Sequence, residues 1–229
     1  MSIAILLSCY SAVVRCLFAS SLFLVVHVYV MRKAVNHLKT SDPVLRGIIE
    51  RVGPCRMEYS DPEFCSLAEA IVYQQLNGKA AVTIFKRFSE LAGEPLTAVG
   101  ILKLSDEQLR SVGLSRQKAS YLKDLAAKTA SGLLDFKKLP EFSDDEVIKH
   151  LTQVKGIGVW TAHMFLMFSL RRANVLPTGD YGVQVAVKKH YKKRKLPKPK
   201  DMEKIARAWE PYRSVACWYL WRSLDIKTV

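Results

Sequence analysis

The chain has 229 residues, 49% hydrophobic, which is enough apolar side chain for one domain of ordinary size or two small ones. Lys and Arg outnumber Asp and Glu by 35 to 21, so the formal net charge is +14 with pI near 9.6. That excess predicts an anionic partner, of which nucleic acid is the simplest. The five cysteines, at 9, 16, 55, 65 and 217, form no CxxC pair and no Cys/His cluster. They argue against a zinc site or an iron–sulfur cluster and for the reduced thiols of an intracellular protein.

In chain order, residues 3–31 come first, strongly apolar and interrupted by Arg15. As a membrane span they would carry Arg15 near the centre, at a cost of roughly 2.5–3.5 kcal/mol. No positive charge precedes the apolar run and no Ala-x-Ala site follows it, so a secretory signal fits poorly. The sequence favours a start at Met31, with a membrane anchor or membrane contact through residues 1–31 as the alternative. Asp42-Pro43 then opens an amphipathic run over 44–52, and Asp61-Pro62 opens another through Leu76. Apolar residues at helical spacing continue over 80–91 up to Gly93. Ser105-Asp106-Glu107-Gln108 and Ser143-Asp144-Asp145-Glu146 each read as a helix cap. Long alternating patterns are absent, so the expected class is all-α.

Residues 151–181, LTQVKGIGVWTAHMFLMFSLRRANVLPTGDY, are the most informative stretch. Gly156-Ile157-Gly158 lies between two apolar-periodic segments, and a Pro-Thr-Gly turn then delivers Asp180. Glycines at 156 and 158 permit a tight turn that exposes successive N–H groups at a helix start, an arrangement that favours a phosphate. On spacing alone, G-x-G is equally a plain turn and Asp180 equally a helix cap. Residues 188–200, KKHYKKRKLPKPK, concentrate the positive charge, as a solvated loop or as a phosphate-contacting loop close to the active site. Pro197 and Pro199 argue that the end of this run is extended.

Taken whole, the segment resembles the helix-hairpin-helix DNA glycosylase superfamily, and within it the alkylbase glycosylases of the 3-methyladenine DNA glycosylase II type. Three further blocks carry the resemblance: AIVYQQL with GKAA at 70–81, LRSVGLSRQKASYLKDLA at 109–126, and WEPYRS at 209–214 followed by Trp218 and Trp221. It covers 32 to about 224. It implies two helical subdomains flanking a cleft, 32–75 plus 176–229 and 76–175 with the hairpin, and no extra β-domain.

The resemblance also assigns roles. Asp180 takes the position of the catalytic aspartate that stabilises cationic character on the sugar and orients water. Bifunctional relatives place a lysine where Trp160 stands, so the expected chemistry is monofunctional hydrolysis that leaves an abasic site. Trp160, Trp221, Tyr181, Met164 and Gln74 are the candidate pocket residues, with indole faces suited to cationic alkylpurines. Met164 stands one helical turn after Trp160, where the bacterial alkylbase type has a tyrosine that helps form the pocket. Gln75 or Leu76 would fill the gap left by the flipped base. Lys155, Gly156, Gly158 and Lys79 are candidate DNA contacts, with Arg116 and Lys118 as further backbone cations. The carbonyls of Thr152, Val154 and Ile157 would hold a monovalent cation, and no other cofactor is expected. The implied partner is double-stranded DNA containing 3-methyladenine or 7-methylguanine, bound by a monomer located with the DNA. A relative acting on mismatched or oxidised bases, and a helix-hairpin-helix DNA-binding module without catalysis, are the alternatives.

Overall fold

The computed structural model describes residues 21–225, with side chains from residue 29. All regular structure among these residues is helical, as expected. The helices are α1 (Ser21–Ser41), α2 (Pro43–Val52), α3 (Phe64–Tyr73), α4 (Gly78–Ala92), α5 (Ala98–Leu102) and α6 (Asp106–Ser111). There follow α7 (Arg116–Ala130), α8 (Asp144–Leu151), α9 (Val159–Phe168), α10 (Tyr181–His190), α11 (Pro199–Ala206) and α12 (Arg213–Asp225). No helix among the described residues is long and apolar enough to cross a membrane. The reading of residues 1–31 falls mostly on 1–20, outside the described residues.

Local chemistry accounts for the helix ends. Ser105 and Ser143 each make a full capping box, with Gln108 and Glu146 returning a bond to the cap amide. This satisfies two of the N–H groups that a helix start leaves without partners. Asp61-Pro62 does not open a helix directly, because α3 begins at Phe64 and Asp61 instead offers its carbonyl to Ser66 Oγ at 2.6 Å. The end of the basic run is extended only as far as Lys198. Pro199 sits in the first turn of α11, where its missing N–H costs nothing, and only the approach to it is extended.

The chain divides into two compact units, one of residues 21–58 and 172–225 and the other Tyr59–Arg171. In the first, α12 is the central helix: every residue from Ser214 to Trp221 is buried, and it packs on α1, α2 and α10. A helix apolar on all sides can only be an interior one. Ala34 and Leu38 of α1 and Leu45, Ile48 and Ile49 of α2 face this core at helical spacing. Buried Asp42 ties it together. Its Oδ1 accepts the amides of Val44 and Leu45, and its Oδ2 accepts the Tyr191 hydroxyl at 2.6 Å and the Trp209 indole N–H at 2.9 Å. Burial, the hydrogen bond to Asp42 and its charge together push the Tyr191 hydroxyl well above the usual range, so it remains a donor.

In the second unit α3 packs on α4 and α7, α5 and α6 pack on α7, and α8 packs on α9. Helix α3, grouped by sequence with the N-terminal part of the chain, thus falls in the unit that also holds the hairpin helices α8 and α9. Phe136 bridges Phe64 and Phe165 with edge-on ring contacts. The ends of the unit are joined by the Ser60 amide on the Phe168 carbonyl at 3.0 Å and by paired Ser60 and Ser169 hydroxyls at 2.9 Å.

Candidate active site and nucleic-acid interface

Each unit holds one constellation of candidate residues. In Tyr59–Arg171 it is the turn between α8 and α9. Gly156 has φ +79, and a Cβ there would lie 2.1 Å from Tyr121 Cδ2, so only glycine fits on both conformational and steric grounds. Gly158 is different. Its φ is −97, nothing lies within 4 Å of where its Cβ would be, and it caps α9. The demand for a tight turn therefore falls on Gly156 alone. Gly158 leaves the start of α9 open, and a bare helix N-terminus favours an anion.

Side chains outside the turn hold it from behind. Gln74 Nε2 donates to the Gly156 carbonyl at 2.9 Å. Asp124 Oδ2 accepts the Lys155 amide at 2.8 Å and the Lys128 ammonium at 2.6 Å. Burial raises the Asp124 carboxyl, but the bonds and charges of Lys128 and Lys155 outweigh it and hold the group below its ordinary value. The Tyr121 ring lies under Gly156, and its hydroxyl accepts from Gln117 at 2.6 Å. Sequence reasoning missed Asp124 and Tyr121. The Asp124–Lys128 spacing of four is that of a helix ion pair, but nothing in it points to a turn 31 residues away.

The remaining candidates of this unit fall as follows. Trp160 and Met164 are one turn apart on α9, both half-buried. Gln75 is exposed and holds φ +57, unusual for a side chain of this kind, while Leu76 is half-buried and Lys79 and Lys155 are exposed. Lys118 is otherwise engaged: its Nζ donates to the Val72 carbonyl at 2.6 Å, and burial lowers it from its ordinary value. The Val154 carbonyl accepts the Ile157 amide at 3.0 Å, and a carbonyl so used keeps one lone pair for a cation.

The second constellation centres on Asp180, 3% exposed, which caps α10. Its Oδ1 accepts the Val183 amide at 2.7 Å and the Trp221 indole N–H at 2.8 Å. The turn before it is fixed by the Asp180 amide on the Pro177 carbonyl and by Gln184 Nε2 on the Thr178 carbonyl. Trp221, 3% exposed, thus holds the carboxylate through its N–H. Tyr181, next in sequence, is 68% exposed. Cys217 lies in the core nearby, and burial, with the Asp180 charge adding to it, pushes its thiol far above the usual range. That thiol stays protonated and unreactive. Among the described residues no group of three or more His, Cys, Asp or Glu side chains is placed to hold a metal.

A glycine turn that offers helix-start amides, between α8 and α9, makes this a helix-hairpin-helix protein, and the buried carboxylate at the start of α10 adds a group able to do chemistry. The chain belongs to the HhH-GPD superfamily of base excision DNA repair proteins, whose family model matches residues 68–211. A putative DNA-3-methyladenine glycosylase of Bacillus subtilis is 35% identical over 179 residues, 75% of this chain and 62% of that protein. DNA-3-methyladenine glycosylase 1 of Schizosaccharomyces pombe is 36% identical over 200 residues, 84% of this chain and 87% of that protein. Among solved structures, the DNA-3-methyladenine glycosidase of Bacillus halodurans matches with TM-score 0.74 and 39% identity, over 82% of this chain and 87% of that one. The 3-methyladenine DNA glycosylase of Schizosaccharomyces pombe, in complex with abasic DNA, matches with TM-score 0.73 and 34% identity, over 85% and 97%.

Proposed function

We propose that this protein is a monofunctional DNA glycosylase that hydrolyses the N-glycosidic bond of alkylated purines, 3-methyladenine and 7-methylguanine, in duplex DNA. The observation that carries the reading is Asp180, a buried carboxylate fixed by the Val183 amide and the Trp221 indole in a chain of this family. Breaking the bond builds positive charge on the sugar. A carboxylate already oriented by two donors meets that charge without reorganising and can direct a water to the anomeric carbon. The departing base carries its own positive charge before cleavage, and the indole face of Trp160, with Met164 and Tyr181, would favour it over neutral bases. No lysine occupies position 160, so no amine is set there to attack the sugar, and the product is an abasic site with an intact strand.

The amides at Gly156 and Gly158, with Lys155 and Lys79, are the proposed grip on the phosphates, and Gln75 or Leu76 the proposed filler of the vacated stack. Thr152, Val154 and Ile157 would hold a monovalent cation through their carbonyls, which would place a positive charge at the same phosphate. One carboxylate serves one flipped nucleotide, which fits a monomer located with the DNA.

The test is base release from methylated duplex DNA by the full chain, with Asp180→Asn alongside. Release of 3-methyladenine or 7-methylguanine is expected, with no strand break before alkali. In the variant the rate should fall by roughly 10²–10⁴ with DNA binding retained. Tight DNA binding with no release by the wild-type chain would overturn the assignment.

A further inference from the structure

We propose that residues 188–200 form a second, preorganised contact with the DNA backbone, at a distance from the nucleotide that Asp180 serves; the proposal rests on the reading of the chain as a DNA glycosylase. The sequence suggested a phosphate contact close to the active site. The fold separates the two, because Asp180 caps one end of α10 and the basic run begins at the other. Ten residues of helix span about 15 Å. At about 3.4 Å per base pair, that is roughly four base pairs along a duplex.

The run contains eight Lys and Arg and no Asp or Glu. Lys188, Lys189, Lys192, Lys193, Arg194, Lys195, Lys198 and Lys200 are all exposed. Among the described residues none of the eight is in an ion pair. Like charges packed this closely repel one another, and an anion that neutralises several at once relieves the repulsion.

The backbone carrying them is fixed. His190 Nε2 pairs with Ser223 Oγ at 2.8 Å, and the Tyr191 hydroxyl donates to Asp42 at 2.6 Å. The Lys193 amide donates to the Lys188 carbonyl at 3.0 Å, with Lys192 at φ 52. Further on, Pro197 is buried and the Lys198 amide donates to Asp201 Oδ2 at 3.2 Å. Polar residues that anchor the loop point inward and the cations point out, so little ordering is left to be done on binding. An acidic protein partner fits less well. Protein hot spots need buried aromatic or apolar anchors, whereas Leu196 alone in this run is an exposed large apolar side chain.

The experiment compares the full chain with the triple variant Lys193→Gln, Arg194→Gln, Lys195→Gln on a duplex of about 25 base pairs carrying a central abasic-site analogue. Kd is measured over a series of KCl concentrations. The variant's log–log salt slope should be shallower by about 0.9 for each phosphate that the loop no longer neutralises, with affinity at low salt reduced roughly tenfold or more. Single-turnover base release at saturating enzyme should match the wild type. Trimming one arm of the duplex to about three base pairs from the lesion should abolish the difference in binding. Unchanged affinity and slope on the long duplex would overturn the proposal, as would a slower rate at saturation or a difference that survives trimming of either arm. A wild-type chain that binds but releases no base would instead sink the glycosylase reading and leave the binding comparison standing.

Discussion

Asp180 differs from an ordinary helix cap in the second donor it receives. The Val183 amide alone would satisfy the cap, and the Trp221 N–H adds a bond from α12 to the same oxygen, Oδ1. Trp221→Phe keeps most of the packing volume and removes that donor. Base release in single turnover should fall about tenfold or more, and urea unfolding should show a loss of about 1–3 kcal/mol. A variant that loses stability yet keeps the wild-type rate would reduce Trp221 to packing. Glu69 on α3 illustrates a different residue-level effect. Burial pushes its carboxyl up to about 7 against the lowering influence of its hydrogen bond with Tyr73, from an ordinary value of 4.5. The folded chain therefore keeps a proton that the unfolded chain releases. Its contribution is fully present below about pH 4.5 and is lost as pH rises through about 7. Glu69→Gln should match the wild type in urea unfolding near pH 4.5 and exceed it near pH 8. Parallel pH profiles for the two chains would refute the assignment.

The hairpin shows two glycines with different work. Gly156→Ala puts a methyl against Tyr121 in a left-handed backbone and should cost about 1–3 kcal/mol of stability. Adding Tyr121→Ala should recover the steric part and leave the conformational part. Gly158→Ala meets nothing within 4 Å and has an ordinary φ, so the fold should stand. If a phosphate approaches that amide, DNA affinity should fall roughly tenfold, and titrating both variants with an abasic duplex separates the two effects. A G-x-G string cannot distinguish the two positions, since the demand at Gly156 comes from a ring of α7 and Gly158 has only open space beside it. The capping boxes at Ser105 and Ser143 were legible because each is completed within four residues. Asp180 stood out through its turn and its resemblance, while its Trp221 bond joins positions 41 residues apart and leaves no periodic trace. Pro199 was misread because proline at a helix start and proline in an extended run look alike in one dimension.

At the scale of the molecule, the unit that holds Asp180 is made from the two ends of the described chain. Asp42 bonds to Tyr191 and Trp209, 149 and 167 residues away, and at the same time caps α2. Tyr191 closes α10, the helix that Asp180 opens, so the Asp42 carboxylate also anchors the far end of the helix that Asp180 caps. Asp42→Ala would leave two amides, a hydroxyl and an indole N–H without their acceptor in the interior. The expected loss is on the order of 3 kcal/mol or more, with base release falling in step although Asp42 has no part in the chemistry. Asp42→Asn keeps the shape and one carbonyl acceptor and should lose less. Limited proteolysis locates the damage. If Asp42 serves as the fastening of its own unit, early cuts in Asp42→Ala should fall within 21–58 and 172–225 while 59–171 resists. The helices of 59–171 have their own core around Leu67, Ile71, Leu122, Leu125 and Leu166 and no bond to Asp42. Early cuts spread over both units would show instead that the whole chain unfolds as one cooperative body, and that the buried carboxylate holds more than the unit in which it sits.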